Sequence, residues 1–170
     1  DISVAGQGVY LMGFVPTQSI DRVVAHARSN GQTRFAALVP DSLYGQRSSV
    51  ALSQAVAANG GKLVGIQSFT RAAGAITLAL RKLGPTSGYD ALMIADSGRV
   101  AVEVVPLVRR SGGQTTQILG TELWNAEAFI GQKPVMRGAL FASVSDTLYT
   151  QLAGKYRTRF GKSPYRLASL

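Results

Sequence analysis

The sequence contains no cysteine and a single histidine, His26, among its 170 residues. Without thiols it can form neither disulfides nor thiolate metal sites. A single imidazole also excludes a metal site built from several histidines and a proton relay between two of them. His26 lies beside the apolar stripe of a predicted helix, with no carboxylate placed next to it by the sequence, so we interpret it as a boundary or surface residue. We therefore expect neither a metal nor a cofactor.

Long apolar runs and acidic residues are also scarce. No run approaches the roughly 20 residues that a membrane-spanning helix needs. There are 9 Asp and Glu against 18 Lys and Arg, which gives a net charge of +9. Such a balance favours anionic partners, namely nucleic acid, acidic glycans or lipid head groups. The basic residues concentrate only near the C-terminus, in a pattern typical of a solvated helix face, so we rank nucleic acid below every other partner.

Both ends of the sequence indicate a piece of something longer. The chain begins at Asp1 with no signal-peptide pattern. It ends over 166–170 in a helix-like pattern that has no cap or polar tail. We expect a fragment, with any lipid anchor to a membrane lying outside it.

What the sequence does contain is a repeated strand–loop–helix pattern. The stretch 34–45 reads R-F-A-A-L-V-P-D-S-L-Y-G, an unbroken apolar run closed by Pro-Asp, which is typical of a strand buried on both faces of a parallel sheet. Helical patterns ended by glycine separate this strand from its successors. The alternation predicts an α/β fold, a three-layer doubly wound parallel sheet with the flavodoxin-like strand order 2-1-3-4-5. The later strands are predicted to begin at Lys62, Ala91, Gln117 and Gly138.

Elements outside that repeat complete the prediction. A short apolar run over 9–14 predicts a strand, and a helix follows from Pro16 to a stop at Asn30-Gly31. A last helix is expected over 146–160. The helix after the third strand contains Pro106, which either kinks that helix or marks its first turn.

In the predicted order, loops from several strands meet at the carboxyl edge of the sheet, where open α/β sheets bind their ligands. The polar and aromatic side chains in these loops are the groups from which a pocket for a small polar ligand is built. Each also has a plainer interpretation, since the short polar ones suit helix N-caps and the two aromatic ones suit packed anchors of their loops. The candidate ligand-binding residues are Asp41, Ser42, Tyr44, Asp96, Ser97, Thr121, Glu122 and Trp124.

The motifs of catalytic and nucleotide-binding α/β proteins are missing. After the first strand the chain offers P-D-S-L-Y-G, where a dinucleotide site needs G-x-G-x-x-G. Neither a P-loop nor the G-x-S-x-G nucleophile elbow occurs. A phospho-accepting receiver domain needs clustered carboxylates after the first strand and a lysine after the fifth, but Asp41 stands alone and Ala142-Ser143 takes the place of the lysine. We therefore expect that the protein is not an enzyme.

Five segments carry a resemblance to a known family: the stretch 34–45 quoted above, A-A-N-G-G-K-L-V-G at 57–65, Y-D-A-L-M-I-A at 89–95, I-L-G-T-E-L-W at 118–124 and Y-R-T-R-F-G-K-S-P-Y-R-L-A-S-L at 156–170. Together they resemble the type I periplasmic binding protein superfamily, of the leucine/isoleucine/valine-binding type. The resemblance implies one lobe of a two-lobed, non-catalytic protein, with ligand contacts at Tyr44, Asp96 and Glu122.

The same resemblance implies three parts of the chain. Residues 1–15 are expected to be a crossing segment from the other, first lobe. Residues 16–143 are expected to form the second, α/β lobe, and residues 144–170 a return helix that crosses back towards the first. Apolar residues at both ends, which such a lobe would bury against its neighbour, further predict that the fragment forms a homodimer.

Within the superfamily, G-T-E-L-W and the last segment are most similar to the penicillin-binding protein activator group of exported bacterial lipoproteins. This implies a periplasmic protein, an outer-membrane lipoprotein at full length, that regulates peptidoglycan synthesis by binding a penicillin-binding protein or peptidoglycan itself. The alternative is the ligand-binding lobe of an ABC-transporter receptor for amino acids or similar small polar molecules.

Overall fold

The computed structural model describes Gly8, residues 15–143 and residues 146–164. By its internal contacts the chain divides into two compact units. The larger is Pro16–Ala142, and the smaller combines Asp1–Val15 with Ser143–Leu170. The strand predicted over 9–14 lies outside the described residues.

The larger unit alternates helices and strands, as the sequence predicts. All four strands are parallel and lie in the order β2-β1-β3-β4, so the doubly wound arrangement is confirmed over its first four strands. Three short 3-10 segments fill the chain after the last strand. The elements in chain order are α1 (Pro16–Ser29), β1 (Arg34–Pro40), α2 (Leu43–Ala58), β2 (Lys62–Phe69), α3 (Ala75–Leu83), β3 (Ala91–Ile94), α4 (Gly98–Arg110) and β4 (Gln117–Gly120).

The predicted fifth strand is shortened to a single residue. Leu140 forms an isolated parallel bridge with Leu119 of β4. Its N–H donates to the Ile118 carbonyl at 2.9 Å, and its carbonyl accepts from the Gly120 N–H at 2.8 Å. Gly138, where the strand should begin, has a φ of 81°, which belongs to a turn and not to a strand. The bridge thus occupies the fifth place in the predicted order without extending into a strand.

Burial on both faces explains the unbroken apolar run of β1. Residues 35–39 are all buried, and so are all four residues of β3. Ala36 and Leu38 face a cluster that includes side chains of α3 and α4. Phe35, Ala37 and Val39 face the opposite cluster, which includes α1 and α2. Alternation along the strand therefore separates two cores, and no polar face interrupts the run.

Two predicted helix features can be compared with the structure directly. The first helix is confirmed, and it is followed by Gly31 at a φ of 91°, the left-handed conformation that ends many helices. Pro106 lies inside α4, so the interpretation of this proline as the first turn of the helix is wrong.

The last predicted helix, here α5 (Asp146–Phe160), is confirmed in the smaller unit. The ring of Tyr156 packs against Phe160 with their centroids 4.4 Å apart. The guanidinium of Arg159 lies 5.8 Å from the centroid of the Phe160 ring. Among the described helices, none is long and apolar enough to cross a membrane.

Candidate functional site

A cleft of about 460 Å³ opens at the carboxyl edge of the sheet in the larger unit. Four of the eight candidate residues line it, namely Asp41, Ser42, Tyr44 and Asp96. They lie just after β1 and β3, the two strands between which the chain order reverses, as the predicted topology requires. The other lining residues are Pro40, Phe69, Thr70, Arg71 and Leu123.

The turn from β1 into α2 is tight and depends on glycine. Ser42 is the N-cap of α2, and its hydroxyl accepts a hydrogen bond from the Gly45 N–H at 3.3 Å, which confirms the capping interpretation for this residue. A Cβ at Gly45 would lie 1.9 Å from the carbonyl oxygen of Pro40. Only glycine therefore allows the first turn of the helix, which carries Tyr44, to pass this close to the strand end.

Tyr44 is held by residues that follow β4. Its hydroxyl lies 2.8 Å from Thr121 Oγ1 and 3.0 Å from Glu122 Oε1. Because a carboxylate only accepts, the single phenolic proton is donated to Glu122, and the tyrosine oxygen accepts from Thr121. Burial raises the pKa of Tyr44 well above its usual range, and the neighbouring charge of Glu122 raises it further. The second carboxylate oxygen of Glu122 accepts from the Ser19 hydroxyl at 2.5 Å.

Asp96 is a buried carboxylate in the wall of the cleft, with 3% of its surface exposed. Its Oδ1 accepts from the Ser97 N–H at 2.6 Å and from Arg71 Nη2 at 2.9 Å. Its Oδ2 has no hydrogen-bond partner among the residues that the structure describes. Arg71, by contrast, leaves 70% of its side chain in solvent. Asp96 Oδ2 is thus a buried acceptor that is open, meaning that it has no hydrogen-bond partner in the described residues, and it belongs to a carboxylate bonded by the exposed guanidinium of Arg71.

Trp124 lies in the core and not in the cleft wall, with 1% of its surface exposed. Its indole Nε1 donates to the backbone carbonyl of Asp96 at 2.9 Å, which ties the loop after β4 to the loop after β3. The ring covers Gly120, where a Cβ would lie 2.3 Å from the indole. Phe141 packs on it with ring centroids 5.9 Å apart. This arrangement fits the interpretation of Trp124 as a packed anchor.

The remaining candidate ligand-binding residues lie at the rim of the cleft or outside its wall. Asp41 is exposed at the rim of the cleft. Ser97 holds the N-cap position of α4, yet its side chain makes no capping bond and does not line the cleft. Thr121 is fully buried behind Tyr44. Within the described residues, no group of three or more His, Asp and Glu side chains could hold a metal ion.

Sequence reasoning missed Arg71 and Ser19. Arg71 follows the end of β2, and because β2 neighbours β1 in the predicted order, the loop after the second strand belonged in the search. Ser19 lies on α1, before the first strand of the sheet, and reaches Glu122 across 103 positions of sequence. No local pattern signals that contact.

Comparison with known proteins agrees with this architecture. The family described as "Periplasmic binding protein" matches residues 3–168. The chain belongs to the periplasmic binding protein family. Among curated proteins, no sequence matches it. Family membership implies a periplasmic location and places the chain among binding proteins.

Solved binding proteins share the fold of this lobe. A putative branched-chain amino acid ABC transporter protein from Rhodospirillum rubrum matches with a TM-score of 0.72 and 18% identity over 90% of this chain and 45% of its own. A periplasmic ligand-binding protein from Burkholderia xenovorans LB400 gives 0.70 and 21% over 93% and 44%. A solute-binding protein from Rhodopseudomonas palustris BisB5 gives 0.67 and 17% over 90% and 44%. The chain therefore spans less than half the length of these proteins and has the fold of one lobe of a type I periplasmic binding protein.

Proposed function

We propose that this lobe supplies one wall of a site for a small molecule that carries both an ammonium and a carboxylate group, such as an amino acid, in a receptor of an ABC transporter. The observation that carries the proposal is the open oxygen of Asp96 beside Arg71. A buried acceptor without a partner costs about 1–3 kcal/mol, and a ligand ammonium that donates to Oδ2 removes this cost. The exposed guanidinium of Arg71 can donate two parallel hydrogen bonds to the ligand carboxylate.

The rest of the cleft supports the same ligand class. Its volume of about 460 Å³ lies within the usual range for small-molecule sites, roughly 300–1,000 Å³. Glu122 adds a second negative charge beside Tyr44, which lines the cleft. The Rhodospirillum and Burkholderia proteins are described as belonging to branched-chain amino acid ABC transporters, and the Rhodopseudomonas protein was solved with 3,4-dihydroxy benzoic acid. These similarities support a small molecule as the ligand without selecting its side chain.

Calorimetry on the intact protein tests the proposal, with the common amino acids and 3,4-dihydroxybenzoate as probes. We expect saturable binding of at least one amino acid. Asp96→Asn, Tyr44→Ala and Glu122→Ala should each weaken it at least tenfold, because each removes a group that faces the ligand or holds such a group in place. Glu103→Gln, which removes an exposed charge from α4 outside the cleft, is the matched control. Absence of binding by every probe, or unchanged binding by Asp96→Asn, would overturn the proposal.

A second candidate is the cell-wall regulator suggested by the resemblance to penicillin-binding protein activators. The observation that favours it is the run of exposed basic residues on and after α5, Lys155, Arg157, Arg159 and Lys162, which suits an anionic partner such as peptidoglycan or an acidic face of a penicillin-binding protein. A lipid anchor at full length would place such a protein at the outer membrane. In this role, as in the first, residues 1–15 and 144–170 are proposed to cross towards another lobe.

Co-sedimentation with purified peptidoglycan sacculi distinguishes the two candidates. A wall-binding protein should sediment at low salt, be released as salt rises, and lose retention in Lys155→Gln and Arg159→Gln together. A transport receptor should remain in the supernatant and bind its amino acid there. The predicted homodimer is checked in the same buffer by sedimentation velocity.

A further inference from the structure

A second cavity opens at the opposite, amino-terminal edge of the sheet. It encloses about 570 Å³ and is formed by the loops that precede β1, β3 and β4. None of its lining residues belongs to the cleft described above. Its polar lining residues include Gln32, Thr86, Ser87, Tyr89, Ser111 and Thr116.

Two polar atoms of residues that line this cavity are buried without a partner among the described residues. One is the hydroxyl of Tyr89, a residue with 3% of its surface exposed, and the other is the Oε1 of Gln32. The tyrosine ring packs in the core. Burial raises the pKa of Tyr89, so its hydroxyl remains protonated and able to donate. Two residues of the cavity lining therefore carry a donor and an acceptor, both uncharged, that have no partner among the described residues.

The two charged side chains that line the cavity, Arg34 and Asp90, are paired with each other. Arg34 donates to Asp90 Oδ1 from Nη2 at 2.7 Å and from Nε at 3.2 Å, and its Nη1 donates to the Ser87 carbonyl at 2.9 Å. Asp90 Oδ2 accepts three further bonds, from the backbone and hydroxyl of Thr33 and from the backbone of Arg34, each at 2.9 Å. An ionic ligand would lose its hydration here without gaining a counter-charge.

We propose that this cavity binds a neutral polyhydroxyl compound of monosaccharide size. A ligand hydroxyl both donates and accepts, so neighbouring hydroxyls on one ring would complete the bonding of Tyr89 and of Gln32 together. Thr86, Ser87 and Thr116 in the lining add further neutral hydroxyl groups. The proposal is independent of the cleft at the carboxyl edge, which lies at the other ends of the strands.

Binding is tested by ¹H–¹⁵N chemical-shift titration of the full chain with D-glucose, N-acetylglucosamine and myo-inositol. Inorganic phosphate and L-arginine serve as charged probes. We expect at least one neutral probe to give saturable shifts that centre on residues 31–34, 85–90 and 111–116, while the charged probes leave those residues unmoved. Failure of all three neutral probes to saturate, or equal binding by a charged probe at these residues, would overturn the proposal.

Tyr89→Phe tests the role of the hydroxyl while it keeps the ring in the core. We expect polyol binding about tenfold weaker, whereas the control Tyr156→Phe on α5 binds as the wild type does. Thermal unfolding without ligand provides a second readout. Because the hydroxyl has no partner to lose, the melting temperature of Tyr89→Phe should equal or exceed that of the wild type. A clear fall in melting temperature, or unchanged polyol affinity, would contradict the proposal.

Discussion

Two aspartates flank the same short strand and have opposite surroundings. Asp90 precedes β3 and leaves 28% of its side chain exposed, yet both of its oxygens are fully used by bonds from Thr33 and Arg34. Asp96 follows β3 and is buried, yet its Oδ2 has no partner in the described part of the chain. Exposure alone would have ranked Asp90 as the functional residue.

On the proposal above, the property that separates the two aspartates is an unmet hydrogen bond and not exposure. A satisfied carboxylate fixes the loops that it bonds, and nothing remains for a ligand. An open acceptor that is removed from water costs free energy in the unbound protein, and a ligand that bonds to it recovers that free energy. Asp90 at the amino edge thus has both oxygens bonded, whereas Asp96 at the carboxyl edge pairs with Arg71 through Oδ1 and leaves Oδ2 without a partner in the described part of the chain.

The largest expected effect comes from removing the support of the carboxyl edge. Trp124→Ala should lower the free energy of unfolding by about 3–5 kcal/mol, because it empties a fully buried site and removes the donor to the Asp96 carbonyl. Leu123→Ala, one residue earlier and partly exposed, should cost less than about 1 kcal/mol. Urea denaturation measures both. Equal losses would mean that the loop after β4 is not anchored by its tryptophan.

At the amino edge, Asp90→Asn should lower the melting temperature at neutral pH by roughly 5 °C, because it weakens several charge-assisted bonds at once. Bonding to Arg34, together with the bonds from the Thr33 and Arg34 backbone, holds the pKa of Asp90 well below its usual range.

The lowered pKa fixes the direction of the pH dependence. The stabilisation is complete above the unfolded value of roughly 3.9 and is lost as the pH falls below it towards the folded pKa. The stability difference between wild type and Asp90→Asn should therefore shrink as the pH falls from about 4 to about 2.5, as measured by denaturation at each pH. A constant difference across that window would contradict the ion pair.

The same substitution, tyrosine to phenylalanine, can be made at the carboxyl edge and at the amino edge of the sheet. Tyr44→Phe breaks the hydroxyl bonds to Thr121 and Glu122 and should cost about 1.5 kcal/mol. Tyr89→Phe deletes a hydroxyl without a described partner and should cost nothing. Urea denaturation of the two variants side by side gives the contrast. If both lose the same free energy of unfolding, the distinction between a bonded and an open hydroxyl is lost.

The sequence predicts the parts of the molecule that depend on local pattern. The apolar run 35–39, the cap at Ser42 and the position of the cleft all follow from periodicity, turn chemistry and parallel topology. The length of the fifth strand does not follow from the pattern, because Gly138, where the strand is predicted to begin, adopts a positive φ of 81°. Contacts such as Ser19 with Glu122 join residues far apart in sequence and appear only once the chain is folded.

Arg71, which the sequence pattern does not single out, should matter for ligand selection. Its replacement gives the smallest expected change in stability. Because its side chain is mostly in solvent, Arg71→Gln should alter the free energy of unfolding by less than about 1 kcal/mol. Asp96 Oδ1 keeps its bond from the Ser97 N–H in that variant. The change should instead appear in ligand selection. Amino acids should bind at least tenfold more weakly, while the corresponding amines, which lack the carboxylate, should bind as before or more tightly.

Asp96→Asn should produce the opposite selection, weakening amines and amino acids alike while sparing ligands that carry only a carboxylate. Arg81→Gln, an exposed position on α3 outside the cleft, controls for loss of positive charge. Calorimetry with matched amino acid, amine and acid probes separates these cases. If Arg71→Gln weakens the binding of all three ligand types equally, then Arg71 shapes the cleft and does not bind the ligand carboxylate. In that case the unpartnered oxygen of Asp96 is the one feature of the described residues that distinguishes the carboxyl edge of the sheet from the amino edge.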